Sequence, residues 1–480
     1  MIANLQPYPE YEESGLPWSP RLPAHWSKER AKWLFTKMER PVGDDDAVVT
    51  CFRDGMVTLR KNRRLRGFTE AIYEFGYQGI RKGDLVIHAM DAFAGAVGVS
   101  DSDGKGTPVY AVCQPRPGVN AQYYAFIVRQ MARSQWILAL SRGIRERSTD
   151  FRYDTFGGQR VPLPPPEEQA VMVRFLDYAN GRLERAVQAK RKVIALLHEQ
   201  KQAIIHRAVT GQDQVVEQKR ADGTSAFSLQ PSTLPKKPSG IPWLGDIPFH
   251  WETRPLKQLL VQMDYGTSEN ARGEGRVRVL GMGHIRDGSV FVPEKGSLDR
   301  VPAGLLLWKN DLLFNRTNSP ELVGKVGLFD GNPADEITFA SYLVRLRVRG
   351  EHSPFWLNYL LNSTAFWSYA RSQALVSLHQ ANLNSSRYAR MILPVPPRRG
   401  EQDAIVDAIR SQTSIVQRAI ARTEREIALL REYRTRLTAD VVTGKLDVRP
   451  AARQVPAEPA APEPAPDPEE ATEFEEAIPD

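Results

Sequence analysis

Apolar residues spaced three, four and seven apart recur at Leu176, Leu183, Val187, Ile194, Leu197, Ile204 and Ala208, the one-sided stripe of a helix that buries a single face. The stripe returns 233 residues later at Ile409, Val416, Ile420, Ile427, Leu430, Leu437 and Val441. Polar interruptions coincide as well, Asn180 with Thr413, Lys190 with Thr423 and Lys201 with Arg434. Two helices that dock separately have no reason to share their breaks, so the pattern predicts that they pair in one register as a coiled coil. Prolines precede each helix, Glu167, Glu168 and Glu401 fall in the first turn, and Gly211 and Gly444 stand where a left-handed cap would end it. Each helix would run roughly 43 residues, about 65 Å at 1.5 Å per residue.

The periodicity changes ahead of each helix. Residues 48–60 (VVTCFRDGMVTLR) read as strand, Asp54-Gly55 turn and strand, and residues 83–89 (GDLVIHA) as a buried strand. In the second half, 276–285 (RVRVLGMGHI), 310–316 (NDLLFNR) and 341–349 (SYLVRLRVR) carry strand patterns. An aromatic-rich helix follows in each half, over 121–140 and 353–370.

The halves also open alike, with SGLPWSPRLPAHW at 14–26 and SGIPWLGDIPFHW at 239–251, and LPPPEEQ at 163–169 returns as LPVPPRRGEQ at 393–402. A unit of about 230 residues has been duplicated. The tryptophans Trp18, Trp26, Trp243 and Trp251 are expected to pin the incoming chain to each body rather than to bind a ligand. The fold expected is α/β: two mixed α/β recognition domains at 1–160 and 239–392, and long helices at 161–215 and 393–447. A linker at 216–238 and a disordered acidic Pro/Ala-rich tail at 448–480 complete it.

Charge narrows the class of partner. The net charge of +7 includes a tail, 451–480, with nine Asp/Glu against Arg453 alone, so the rest of the chain carries +15. A body this basic suits a polyanion, nucleic acid first among them. Two cysteines, Cys51 and Cys113, and no long apolar run point to a reduced, cytoplasmic protein without a disulfide framework or membrane span. The long helices and opening phrases are alike in the two halves, whereas the domains between them differ. Two like scaffolds with unlike heads suit recognition of two different targets.

In this doubled order of motifs, the two opening phrases, the two proline-Glu-Gln segments, the two helices ending in VTG and the phrase NDLLFNRTNSPELVGKVGLF, the chain resembles the specificity subunits of type I restriction-modification systems. The resemblance covers residues 7–447. It implies two target-recognition domains separated by an antiparallel pair of conserved long helices, each domain reading one half of a split double-stranded DNA site. It further implies two methyltransferase subunits docked on the helices, with restriction/translocase subunits completing the complex. S-adenosylmethionine, ATP and magnesium would then belong to the partner subunits, none being bound by this chain.

Enzymatic motifs are missing. DAFAGAVG at 91–98 resembles an S-adenosylmethionine loop, but the companion Asn/Asp-Pro-Pro-aromatic tetrapeptide is absent, as is any phosphate-binding GxxxxGK[ST] loop. Cysteines and histidines show no metal-ligand spacing. The chain therefore reads as a non-catalytic binder, and a helical scaffold presenting two protein-binding heads is the alternative.

Candidate DNA contacts are loop residues of mixed basic and amide type, because Arg pairs with guanine edges, Asn and Gln with adenine edges, and clustered cations with phosphate. In the first head they are Arg60, Lys61, Asn62, Arg63, Arg64 and Arg66, then Arg145 and Arg147, with Arg142 and Arg152 beside them. In the second head they are Arg272, Arg276, Asn315, Arg316, Asn318, His379, Gln380, Asn382 and Asn384.

Overall fold

The computed structural model describes residues 5–63, 75–140, 150–219, 225–271, 275–331, 335–377 and 380–456. The chain forms two compact units, residues 1–189 with 426–480, and residues 190–425. Both long helices are present, Pro166–Val209 and Arg399–Val442. They end where the glycines predict, since Gly211 and Gly444 hold φ of 72° and 74°, a left-handed conformation that costs glycine nothing.

The first unit is built on an antiparallel four-stranded sheet ordered Phe35–Lys37, Tyr110–Pro115, Leu85–His88 and Val97–Val99. The segment expected to be a buried strand is one: Leu85, Val86 and Ile87 are fully enclosed. Helix Ala121–Arg133 lies over the sheet with Tyr123, Tyr124, Phe126, Ile127, Val128 and Met131 buried, and Asn120 caps it by accepting the Gln122 and Tyr123 N–H groups. The single helix expected over 121–140 breaks at Gln135, whose φ of 60° is incompatible with a continuing helix, and resumes as Trp136–Leu140. Met172, Phe175, Leu176 and Ala179 of the first long helix share this core with Leu437, Val441 and Val442 of the second.

The second unit carries a six-stranded sheet ordered Leu260–Tyr265, Leu343–Val348, Leu312–Asn315, Val326–Leu328, Ser289–Val290 and Ile285–Arg286. The strand expected over 276–285 ends at Leu280, and a 3-10 turn at Met282–His284 follows Gly281 before pairing resumes. The aromatic segment 353–370 likewise divides into Pro354–Leu361 and Thr364–Ser372. At the break the Asn362 amide bonds both the N–H and the carbonyl of Val326, at 3.1 and 2.9 Å. Ile205, Ala208 and Val209 share this unit's core with Ile405, Val406, Ala408 and Ile409.

Two segments depart from expectation. Residues 216–238, expected as a linker, contain most of an antiparallel hairpin, Asp213–Lys219 with Ser225–Pro231. Val215, Phe227 and Leu229 from its strands pack on the core, which is why the segment is ordered. The first residues of the tail expected to be disordered are ordered instead: Arg449–Ala452 is helical and Val448 and Ala452 are buried. Residues 457–480, most of the acidic tail, lie outside the described residues.

The helix stripes are placed as the periodicity requires. Leu176, Val187, Ile409, Val416, Ile420, Ile427 and Leu437 are buried, and Leu183, Ile194, Leu197, Ile204 and Leu430 are half-buried. The threonines that interrupt the second stripe bond within their own helix, Thr413 Oγ1 donating to the Ile409 carbonyl at 2.7 Å and Thr423 Oγ1 to that of Ala419 at 2.8 Å. Glu184 of the first helix pairs with Arg434 of the second at 3.1 Å.

The repeated opening phrase is a joint. In the first unit His25 Nε2 lies 3.0 Å from Glu168 at the start of one long helix, and the Tyr8 hydroxyl donates to the same buried carboxylate. Pro23 and the Trp26 ring lie against Gly444 just past the end of the other helix, where any Cβ would overlap the proline ring. In the second unit His250 Nε2 is 3.0 Å from Glu401, Trp251 Nε1 donates to that carboxylate at 2.8 Å, and Pro248 and Trp251 close over Gly211. The next residue also acts alike in both. Gln169 accepts from the Asn120 N–H at 3.0 Å, and Gln402 from the Ser353 N–H at 2.7 Å, tying each long helix to the N-cap of its aromatic helix.

Candidate nucleic-acid interface

In the first head the Asp54-Gly55 turn joins Val49–Cys51 to Val57–Leu59, and a 3-10 turn at Arg60–Asn62 follows. Gly55 adopts φ of 93° and the Arg129 guanidinium occupies the space a Cβ would need. Arg63 pairs with Asp54 at 2.7 Å and its guanidinium stands 4.3 Å from the Phe52 ring centre. Burial works against the Asp54 carboxylate, but Arg63 and the Met56 N–H outweigh it and hold its pKa below the usual range. Asn62 Nδ2 donates to Thr58 Oγ1 at 2.9 Å and Arg60 Nε to Thr50 Oγ1 at 3.3 Å, whereas Lys61 is exposed. Arg64, Arg66, Arg142, Arg145 and Arg147 lie outside the described residues, and Arg152 is exposed beside Asp150 at 2.5 Å.

Sequence reasoning missed Arg129. It sits inside an apparently apolar helix, so no local signal marked it. Burial, then the neighbouring charge of Arg133 and, more weakly, Arg434, push its pKa down to about 10. Its Nε has no hydrogen-bond partner in the structure. Arg129 is half-buried, with Arg133, Arg434 and the Asp54 carboxylate as its charged neighbours beside the Asp54-Gly55 turn.

The second head brings its candidates closer together. Asn315 ends the central strand and is buried, its Nδ2 donating to the Met282 carbonyl at 3.2 Å, so it braces the sheet from within. Arg316 follows, its guanidinium 5.2 Å from the Tyr265 ring centre and its Nη2 3.4 Å from Asn382 Oδ1. The Tyr265 hydroxyl bonds Ser385. Asn382 Nδ2 donates to Thr317 Oγ1 at 3.1 Å. Arg316, Asn382 and Thr317 therefore form one connected group on a three-stranded sheet of Thr317–Asn318, Gln380–Asn382 and Leu375–Ser377.

The remaining candidates are separate. Gln380 is exposed. Asn318 Oδ1 accepts from the Ser319 N–H at 2.8 Å, and Asn384 caps helix Ser385–Ala389 by accepting from Arg387 N at 3.0 Å. Both amides thus shape turns. Arg276 is exposed and paired with Glu336 at 2.6 Å, while Arg272 and His379 lie outside the described residues.

Comparison with known proteins agrees with this architecture. No protein-family profile matches the chain. A putative type I restriction enzyme MjaX specificity subunit of Methanocaldococcus jannaschii is 23% identical over 190 residues, 37% of this chain and 45% of that protein. The chain thus matches less than half the length of this curated relative. A chain solved in work on complex assembly and conformational transition of the type I R-M system has a TM-score of 0.60 at 15% identity, covering 88% of this chain and 99% of that one. The HsdS subunit from Thermoanaerobacter tengcongensis aligns at 15% identity over 88% of this chain and 98% of its own, with a TM-score of 0.44. The chain is thus similar to type I specificity subunits in sequence, and it shares the mixed α/β fold of the first of these structures.

Proposed function

We propose that this chain is the non-catalytic DNA-specificity subunit of a type I restriction-modification complex, reading a split, asymmetric double-stranded site with one head per half-site. The observation that carries the reading is the pairing of two matching joints with two unlike heads. His25–Glu168 and His250–Glu401, Gln169–Asn120 and Gln402–Ser353 repeat contact for contact, whereas the sheets they anchor differ in strand number and order. A scaffold kept the same while its heads diverge suits a task with two different targets. The curated relative, itself described as a specificity subunit, supports it.

In this reading the two long helices pair antiparallel. Each unit's core supports that pairing, joining the first half of one helix to the last half of the other. Their outward residues then receive two methyltransferase subunits, to which restriction/translocase subunits add. Val193, Leu196, Ile415, Leu429 and Tyr433 are large apolar side chains left exposed on these helices, and Leu196 and Leu429 are equivalent in the duplication. S-adenosylmethionine, ATP and magnesium are bound by those partners.

The test is to map methylated bases across the genome in cells with this chain and a methyltransferase encoded beside it, and in cells lacking this chain alone. A split motif that disappears with the chain is the expected result. Unchanged methylation overturns the reading and favours a scaffold with protein-binding heads.

A further inference from the structure

Resting on that reading, we propose that Leu375 and Gln380, on one face of the small three-stranded sheet, read an A·T pair through the thymine methyl and the adenine edge. Cross-strand register places them together. Leu375 stands opposite Asn382, which in turn stands opposite Thr317, and Ser377 stands opposite Gln380. Directly paired residues project to the same side of a sheet, so Leu375, Ser377, Gln380, Asn382 and Thr317 share a face. On the opposite face Ala381 is fully buried, while its cross-strand partner Val376 is 63% exposed, so the edge strand Leu375–Ser377 projects from the body.

Leu375 is 73% exposed, and Gln380 and Ser377 are exposed beside it. A large aliphatic side chain held in water next to amides has no folding role. The sheet's strands Leu375–Ser377 and Gln380–Asn382 pair as a ribbon of the width the major groove admits, where Gln bridges adenine N6 and N7 and an apolar side chain covers the thymine C5 methyl.

The surroundings select nucleic acid as the occupant. Between Glu351 and Glu401 the chain contains no Asp or Glu, while it contains Arg371, Arg387, Arg390, Arg398 and Arg399. Arg387 is fixed near the ribbon by donating to the Gln373 carbonyl at 3.1 Å, and Arg371 lies 4.6 Å from the Trp367 ring centre. An apolar-amide face with Arg387 fixed beside it complements a base edge flanked by phosphate.

The full chain, purified with whatever subunits accompany it, is used to select duplexes from a randomised pool. Each thymine of the selected site is then replaced singly by deoxyuridine, which lacks only the methyl. One thymine is expected whose replacement lowers wild-type affinity about fourfold, the effect of roughly one buried methyl group, and has no effect with Leu375→Ala. Gln380→Ala is expected to relax selection at the same base pair. Absence of any methyl-sensitive thymine in the wild type overturns the inference, with no variant involved. Sensitivity that persists in Leu375→Ala, or loss of an accompanying subunit with unchanged DNA selection, overturns it too. Failure to enrich any sequence removes the DNA-recognition reading beneath it, a separate result.

Discussion

Arg316 and Lys61 are candidates for two kinds of DNA contact, one to a base edge and one to phosphate. Arg316 is held by Tyr265 and Asn382, and if such a preorganised guanidinium meets a base edge it discriminates sequence. Arg316→Ala is expected to weaken binding to the methylated motif by about 1 to 3 kcal/mol while leaving random DNA nearly unaffected, as measured by competition titration. Lys61 is exposed in its turn; if it contacts phosphate, Lys61→Ala should lower affinity for all sequences and flatten the salt dependence. Equal losses on both DNAs for Arg316→Ala would remove its base-reading role. A third residue tests the first head. Gly55 combines a left-handed φ with a guanidinium in its Cβ space, so Gly55→Ala is expected to destabilise the protein by at least about 1 kcal/mol in denaturant melts. The residue types of these candidates come from the sequence, but the placement of Asn315 and Arg129 does not. Whether an amide braces a strand or faces a ligand depends on which neighbour's carbonyl it meets, and that neighbour, Met282, is far away in the chain.

At the scale of elements, the long helices contrast buried and exposed positions of one residue type. Leu437 is 3% exposed and Leu429 is 63% exposed. Leu437→Ala is expected to cost about 2 to 5 kcal/mol of stability through the cavity it leaves, whereas Leu429→Ala should fall within about 0.5 kcal/mol. If Leu429 and its counterpart Leu196 receive methyltransferase subunits, Leu196→Glu with Leu429→Glu should leave the melting temperature unchanged and reduce methyltransferase co-purification. Unaltered co-purification would place docking elsewhere. The helices themselves were readable because a 3.6-residue period is a local signal repeated over many turns. The ends of the aromatic helices were not. Gln135 and Asn362 break them for reasons supplied by backbone conformation and by a strand edge distant in sequence. The hairpin at 213–231 escaped likewise, its ordering coming from a core contributed by other segments.

For the molecule as a whole, charge separates the basic body from the acidic tail, and a truncation ending at 456 tests whether the tail competes with nonspecific DNA. Its removal is expected to raise affinity for random duplex at low salt, with the difference fading as salt is raised. No change would exclude such a role. No helix among the described residues is long and apolar enough to cross a membrane. The sequence by itself determined the repeated phrases, the position of the long helices, their glycine stops, and the mixed α/β character of the heads. All of these are written in periodicity or in repeated words, which need only neighbouring residues to be read. Tertiary structure alone decided what the repeated phrase does, joining each His to a helix-initiating Glu and the second Trp of each copy, Trp26 or Trp251, to a helix-ending Gly. It also decided which of many basic and amide side chains converge, as Arg316, Asn382 and Thr317 do. The physical reason is that such contacts join residues tens to hundreds of positions apart, and their geometry is set by how sheets and helices pack rather than by any local pattern.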